Sequence, residues 1–296
     1  MESTVYIDKT VSNEVFYKYE RSIQVSLDGF SFSITDSSGK TPRVLAFGFE
    51  SLVATPRHLI SVALSTWLKT LPFLQEDFRR TSIVFDLGNV VSIPVGLFSS
   101  EDVYAYCKLH FPSFNAEEDR CIWNQSHGLT WGVLFTVPCT ILEEIQATFK
   151  EVHFLHLHTL MHQIGCSMPQ TRDCVAWISV KRAFMSLFLK NGNGDLLLAN
   201  HYCLDGEMDM SYYLLCASEQ CDVSFENLRV VLMGDVSFDN ESVRLLQAEC
   251  KYIDFFNGEV LCDLDTEDLS RNVSMYMPFL NVYKCELLVD NLEESS

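Results

Sequence analysis

Four histidines lie within ten residues near the middle of the chain, namely His153, His156, His158 and His162. Residues two apart on a strand point to the same side, so His156 and His158 could reach one zinc ion. However, no cysteine or carboxylate stands at the spacing of a known zinc motif. Partly buried imidazoles on a strand at the junction of two halves explain the same residues. The sequence therefore predicts no metal site.

The usual signatures of covalent catalysis and of the commonest nucleotide-binding loop do not occur in the sequence. There is no Gly-x-Ser-x-Gly motif, and none of the eleven cysteines has a local motif with histidine or asparagine that would mark it as a nucleophile. There is also no Gly-x-x-x-x-Gly-Lys-Ser loop, which excludes the P-loop class of nucleotide hydrolases. We predict no catalytic residue.

The composition predicts a cytoplasmic protein with a sizeable core. The 296 residues are 48% hydrophobic, which suffices for one large domain or two ordinary ones. The formal charge of -19 would repel nucleic acid and anionic membrane surfaces. No stretch approaches the roughly 20 apolar residues that cross a bilayer, and the first residues do not resemble a signal peptide. An odd number of cysteines favours reduced thiols in a cytosol.

Alternating hydrophobicity and turn residues predict the elements that must position any site. Apolar and polar residues alternate before and after Asp28-Gly29, which predicts a β-hairpin with a tight turn. The predicted elements of the first half are strands 22–27, 30–34 and 43–49, helix 56–71, paired strands 82–87 and 90–95, a helix after residues 99–102, paired strands 121–125 and 130–137, and helix 139–151.

The second half repeats this order of elements. Its predicted elements are strand 152–158, a short helix 159–165, a hairpin of 174–180 and 184–189, strand 196–202, helix 206–220, strand 228–233, helix 240–250 and a final strand 279–288. Residues 22–71 and 174–220 share hairpin, turn, third strand and helix over a similar length. This indicates an internal duplication.

Two such units, each continued by a further strand and helix, resemble the actin-like ATPase fold, a ribonuclease H-like α/β fold shared by actin, sugar kinases, heat-shock chaperones and the cell-division and pilus-assembly homologues. VSLDGFSFSI (25–34) resembles the first phosphate hairpin of that fold. IVFDLGNVVSIPVGLFSSEDVYAY (83–106) resembles the small inserted subdomain of the division and pilus members. LFLKNGNGDLLLANHYCLDGEMDMSYYLLCASEQ (187–220), followed by LRVVLMGDVSFDNE (228–241), resembles a bacterial family of unknown function with this fold.

The resemblance implies a two-lobed molecule with a cleft between the lobes. The first lobe would cover 15–150, with the inserted strand and helix subdomain at about 81–130, and the second lobe would cover 151–290. Phosphoryl transfer in this fold needs backbone amides around the phosphates and carboxylates that hold Mg²⁺. ATP and Mg²⁺ are therefore the cofactors to consider.

The candidate nucleotide-binding residues that the resemblance implies are Asp28, Gly29, Lys181, Gly234 and Asp235. Asp28 could hold the metal through water and Gly29 could open the turn, although Asp-Gly is also a favoured hairpin turn. Lys181 could attract a phosphate, although a solvated basic turn is the alternative. The second hairpin has Val180, Lys181 and Arg182 where the ATP-binding members of the fold have Asp and Gly. Those members also have a glycine pair where this sequence has Gly234-Asp235, and a turn from strand to loop explains Gly234-Asp235 as well.

These departures predict a degenerate actin-like protein, non-hydrolysing or weakly nucleotide-binding, that acts by binding a protein partner or by self-association. The alternative is an active ATPase or small-molecule kinase that uses the cleft. It would pair Asp28 with a second carboxylate such as Asp205, Asp209 or Asp235. Tyr212 and Tyr213 diverge by about 100 degrees on a helix, so one should be exposed beside an acidic surface, as suits a protein partner.

Overall fold

Two chain units make up the structure, a computed structural model that describes residues 3–8, 13–39, 42–52, 56–126, 128–167, 173–181, 184–237, 239–256, 282 and 287–289. Unit 1 contains Met1–Leu160 together with the later segments Leu261–Leu264 and Pro278–Ser296. Unit 2 contains Met161–Val260 and Asp265–Met277.

The described residues of unit 1 form two sheets and three α-helices, apart from short 3-10 turns. Its strands are β1 (Ser3–Ile7), β2 (Glu20–Ser26), β3 (Gly29–Asp36), β4 (Arg43–Ser51), β5 (Arg80–Asp86), β6 (Val90–Pro94), β7 (Asp119–Ser126), β8 (Trp131–Pro138), β9 (His153–His156) and the late β15 (Leu287–Val289). Its helices are α1 (Ile60–Thr70), α2 (Val103–His110) and α3 (Cys139–Thr148), and α4 (Leu157–Ser167) spans the boundary between the units.

The larger sheet of unit 1 has the strand order β1-β4-β3-β2-β5-β9. Strands β2, β3 and β4 are antiparallel, whereas β5 and β9 run parallel to β2. Phe30 and Phe32 of β3 face Trp67 of α1, with ring centroids 5.3 and 6.3 Å apart. The predicted hairpin is confirmed, but Ser26 pairs with Gly29, so the two-residue loop is Leu27-Asp28 rather than Asp28-Gly29.

The smaller sheet of unit 1 has the order β15-β7-β8-β6 and packs against α2. The predicted pairing of 121–125 with 130–137 is confirmed by β7 and β8. The predicted pairing of 82–87 with 90–95 is wrong, because β5 lies between β2 and β9 while β6 pairs with β8. Ile83, Val84 and Phe85 are all fully buried, as is typical of a central parallel strand covered on both faces.

Unit 2 repeats the topology of the larger sheet. Its elements are β10 (Cys174–Val180), β11 (Phe184–Lys190), β12 (Leu196–Cys203), α5 (Asp209–Gln220), β13 (Leu228–Gly234), α6 (Glu241–Glu249) and β14 (Tyr252–Phe255). The strand order is β12-β11-β10-β13-β14, with β10, β11 and β12 antiparallel and β13 and β14 parallel to β10. In the larger sheet of unit 1, strands β4-β3-β2-β5-β9 follow one another with the same relative directions as β12-β11-β10-β13-β14 in unit 2. This confirms the predicted duplication.

Two predicted elements near unit boundaries differ from the structure. The predicted strand 152–158 ends at His156, and α4 begins at the next residue, so His156 and His158 do not share a strand face. Of the predicted final strand 279–288, only Val282 and residues 287 and 288 are among the described residues. Within the described ranges, no helix combines the length and apolar character needed to cross a membrane.

Candidate functional site

The carboxyl ends of β2, β5 and β9 meet at one edge of the larger sheet in unit 1, because these three strands are parallel. Ser26 at the end of β2 pairs with Asp86 at the end of β5, and Phe85 pairs with His156 at the end of β9. Ligands of open α/β sheets bind outside the carboxyl ends of the strands. This edge is therefore the place to look for a site in unit 1.

The first predicted pair, Asp28-Gly29, lies at this edge. The Ser26 hydroxyl is 2.5 Å from Asp28 Oδ1 and 2.9 Å from the Gly29 carbonyl oxygen, within donating distance of both. A Cβ atom on Gly29 would lie 2.2 Å from the Glu50 carbonyl oxygen of β4. The close approach of β3 and β4 therefore explains the glycine, and Asp28 is half-buried beside it.

Asp86 is the carboxylate of this edge that sequence analysis missed. It is fully buried and ends β5, next to Ser26 in the register of the sheet. The signal in the sequence was an acidic residue that closes the apolar run 83–85. Its position at the carboxyl end of a parallel strand, beside Ser26 and on the same edge as Asp28, makes Asp86 a stronger metal-holding candidate than the exposed acidic residues.

A buried polar network adjoins Asp86 at the end of β9. The Asn124 side chain donates to the Phe154 carbonyl oxygen at 2.9 Å, and Asn124 Oδ1 accepts from the His156 amide at 2.9 Å and from the Thr159 hydroxyl at 3.1 Å. The His158 amide donates to His156 Nδ1 at 3.1 Å, so a neutral His156 carries its proton on Nε2. These bonds fix the turn between β9 and α4.

That turn divides the four histidines of the zinc hypothesis between β9 and α4, and the rings of His156 and His158 meet edge-on with centroids 5.0 Å apart. Among the residues described, no group of three or more His, Cys, Asp or Glu side chains is placed to hold a metal ion. His162 lies on α4, where burial and the charge of Lys190 lower its pKa to about 3. An imidazole with so low a pKa is neutral at pH 7.

The equivalent edge of unit 2 contains the other three predicted residues. The Asp235 amide donates to the Val180 carbonyl oxygen at 2.8 Å, and a Cβ on Gly234 would lie 2.0 Å from that same oxygen. The Lys181 amide donates to the Phe184 carbonyl oxygen at 2.8 Å. Lys181 is only 5% exposed, so the solvated basic turn expected here is wrong for this residue, and Arg182 lies outside the described residues.

The structure therefore brings the predicted residues together within each unit. Asp28 and Gly29 share an edge with Asp86, and Lys181, Gly234 and Asp235 share the corresponding edge of unit 2. The other carboxylates considered for catalysis, Asp205 and Asp209, lie elsewhere in the topology, before and at the start of α5. Asp209 Oδ2 accepts from the Asp205 amide at 2.7 Å and from the Gly206 amide at 2.8 Å, which gives it a role in the turn before that helix.

A pocket of unit 1 lies away from this edge of the sheet. It has a volume of about 420 Å³ and is lined by Ile7, Phe16, Ile34, Ala46, Pro72, Phe73 and Glu76. Ile34 pairs with Arg21 near the start of β2, so the pocket lies toward the opposite end of the sheet from Ser26. Its lining is apolar apart from Glu76, which suits an apolar group better than a phosphate.

The expected exposure of one tyrosine in the pair on α5 is confirmed. Tyr212 is 60% exposed, whereas Tyr213 is half-buried and stacks on Tyr202 with ring centroids 4.3 Å apart.

Comparison with known proteins shows a match to one protein family and to several solved structures. The model of a family described as Protein of unknown function (DUF3822) matches residues 8–253. No curated protein matches the chain. A crystal structure from Bacteroides thetaiotaomicron, of a protein with actin-like ATPase fold and unknown function, is 19% identical with a TM-score of 0.77, and the match covers 94% of this chain and 100% of that one.

A second solved structure is the PilM-PilN type IV pilus biogenesis complex. It is 14% identical with a TM-score of 0.57, over 88% of this chain and 97% of the matched chain. The match to the Bacteroides thetaiotaomicron structure establishes that the fold is the actin-like ATPase fold. The resemblance to a family of unknown function with that fold is confirmed as well.

Proposed function

This chain belongs to the DUF3822 family of proteins of unknown function, and from that premise we propose that it is an actin-like partner-binding protein that does not hydrolyse ATP. It binds nucleotide weakly or not at all, and it acts in the cytoplasm through a protein partner or through self-association. Its eleven cysteines, an odd number, support a reducing compartment.

The observation that carries this proposal is the hydrogen bonding of backbone amides at the edge of unit 2. A phosphate-binding turn needs amides that point at the ligand. Here the amides of Lys181, Asp235 and Val236 donate to the carbonyl oxygens of Phe184, Val180 and Gly234, at 2.8, 2.8 and 3.0 Å. A phosphate would have to displace these internal acceptors. The edge is built to hold its own strands together.

The partner-binding part of the proposal is supported by a protein of the same fold. PilM is found in a complex with PilN in type IV pilus biogenesis, so a chain of this architecture can be one component of a protein complex. The exposed Tyr212 supports the same function, since tyrosine is enriched in protein interfaces.

A second candidate function is an active ATPase or small-molecule kinase. Asp28 and the fully buried Asp86 favour it, because they place two carboxylates at the carboxyl edge of unit 1, where Mg²⁺ and phosphates would bind in an active member of the fold.

Thermal unfolding with and without ATP and Mg²⁺ separates the two functions. We expect ATP and Mg²⁺ to change the unfolding midpoint of the wild type by less than about 1 °C, because a ligand that does not bind the folded protein does not stabilise it. The ATPase function predicts a rise of about 5–10 °C when ATP exceeds its Kd about 100-fold. That rise, lost in Asp28→Ala and in Asp86→Asn but kept in the exposed control Asp102→Ala, would overturn our proposal.

A further inference from the structure

An apolar stripe runs along the outer face of α5. Met208, Tyr212 and Leu215 are 65%, 60% and 40% exposed. They are spaced by four and then three residues, so they line one face of the helix. The Tyr212 amide donates to the Met208 carbonyl oxygen at 3.0 Å, which places Met208 in the first helical turn. We call these three residues the α5 stripe.

The α5 stripe is separate from the core of unit 2. Met210, Leu214 and Ala217 lie on the opposite face of α5 and are buried against the sheet. The helix is therefore held in place without any help from the stripe. Large exposed apolar side chains scattered singly need no explanation, but three in register on one helix face form a surface that a partner can cover.

The central residue of the stripe is held in position by two other rings. Tyr213 stacks on Tyr202 of β12, and Tyr212 packs edge-on against Tyr213 with ring centroids 5.4 Å apart. Tyr212 is thus supported by a ring that is itself fixed between helix and strand. A preorganised aromatic side chain loses little conformational entropy on binding, which is the property of an interface anchor.

The charged residues in the segment of the chain that contains the stripe are all acidic. Residues 202–228 contain six carboxylates and no lysine, arginine or histidine. Glu207 precedes Met208, and Glu219 follows Leu215 by four residues on the same helix face, and both are exposed. The stripe therefore has an apolar centre with negative charge at each end.

We propose that the α5 stripe binds a basic amphipathic helix of a partner protein, with apolar side chains on the stripe and lysine or arginine near Glu207 and Glu219. This assignment rests on the partner-binding function and names the chemistry of the partner. A second copy docked through the same face would bring like charges together. The total charge of -19 also disfavours nucleic acid and anionic lipid at this surface.

Fluorescence anisotropy with a designed helical peptide tests this proposal. The probe is a labelled peptide of leucine and lysine with all leucines on one helix face. We expect saturable binding to the full chain that weakens with added salt. The double variant Tyr212→Ser with Leu215→Ser should bind about tenfold more weakly or worse, since buried aromatic anchors dominate interface energies. The thermal midpoint should change little, because neither side chain belongs to the core of unit 2.

Matched controls separate this surface from general attraction to an acidic protein. Leu109 of α2 is 76% exposed, so Leu109→Ser removes a comparable apolar side chain and should leave binding unchanged. A peptide of the same composition without an apolar face should bind far more weakly. Equal binding of the two peptides, or equal affinity of the double variant and wild type, would overturn the assignment.

Sedimentation of the wild type gives a further decisive outcome. A dimer that dissociates in Tyr212→Ser would identify a second copy as the occupant and overturn the basic partner. ATP hydrolysis by the wild type would instead overturn the proposed function without changing the peptide result. The two failures are therefore distinguishable.

Discussion

Gly29 and Gly234 stand where two strands approach too closely for any side chain. A Cβ atom would lie 2.2 Å from the Glu50 carbonyl oxygen in the first case and 2.0 Å from the Val180 carbonyl oxygen in the second. Gly234 also has φ = 97°, a conformation that favours glycine. The requirement for glycine at both positions thus follows from strand packing, and nucleotide binding is not needed to explain it.

Gly234→Ala should destabilise the protein by about 2–4 kcal/mol, from the left-handed backbone and from the contact with Val180. Denaturant unfolding measures this loss. Gly96→Ala is the matched control, because a Cβ there meets nothing within 4 Å. Equal stability of the two variants would contradict the close contact between Gly234 at the end of β13 and the Val180 carbonyl oxygen at the end of β10.

Among the elements, α4 and β11 pack a neutral histidine into unit 2. The His162 ring meets Phe188 of β11 edge-on, with centroids 5.2 Å apart. Lys190 Nζ, on the same strand, donates to the His162 carbonyl oxygen at 3.4 Å. Burial and this nearby charge lower the His162 pKa to about 3, against an ordinary value of 6.5. The contact between the two elements therefore weakens when the imidazole is protonated.

Stability should fall as the pH drops from about 6.5 toward 3, because only the unfolded chain binds a proton at His162 over that range. The contribution of neutral His162 to the free energy of unfolding is complete above pH 6.5 and is smaller by about 2 kcal/mol at about pH 5. Unfolding free energies across this range should be less pH-dependent in His162→Gln than in the wild type. The exposed control His110→Gln should keep the wild-type dependence, and parallel curves for all three proteins would contradict this assignment.

Element order and the pairing of the local hairpins were predictable from sequence, whereas the partners of β5 were not. Alternation on both sides of Asp28 predicts a hairpin because the contact is local. The neighbours of β5 come from distant parts of the chain, and nothing in the sequence of 82–87 distinguishes pairing with β2 and β9 from pairing with the next strand. The end of β9 was missed because the side chain of Asn124 binds the His156 amide, a contact across 32 residues.

Across the whole molecule, the duplicated topology places two similar sheet edges with different chemistry. The edge of unit 1 has two carboxylates, Asp28 and Asp86, whereas the edge of unit 2 has a buried lysine and amides that bind internal carbonyl groups. The sequence was sufficient to predict the fold and the departure at Lys181. It could not place Asp86 in the site, because its position depends on the register of β5 against β2.

Phosphate release from ATP in the presence of Mg²⁺ tests the central claim most directly. We predict a rate for the wild type that equals the rate of Asp86→Asn and of buffer alone, because the amides of Lys181, Asp235 and Val236 at the unit 2 edge already donate to carbonyl oxygens of the chain. Turnover by the wild type that Asp28→Ala and Asp86→Asn both abolish, and that Asp102→Ala keeps, would contradict it and establish an active ATPase.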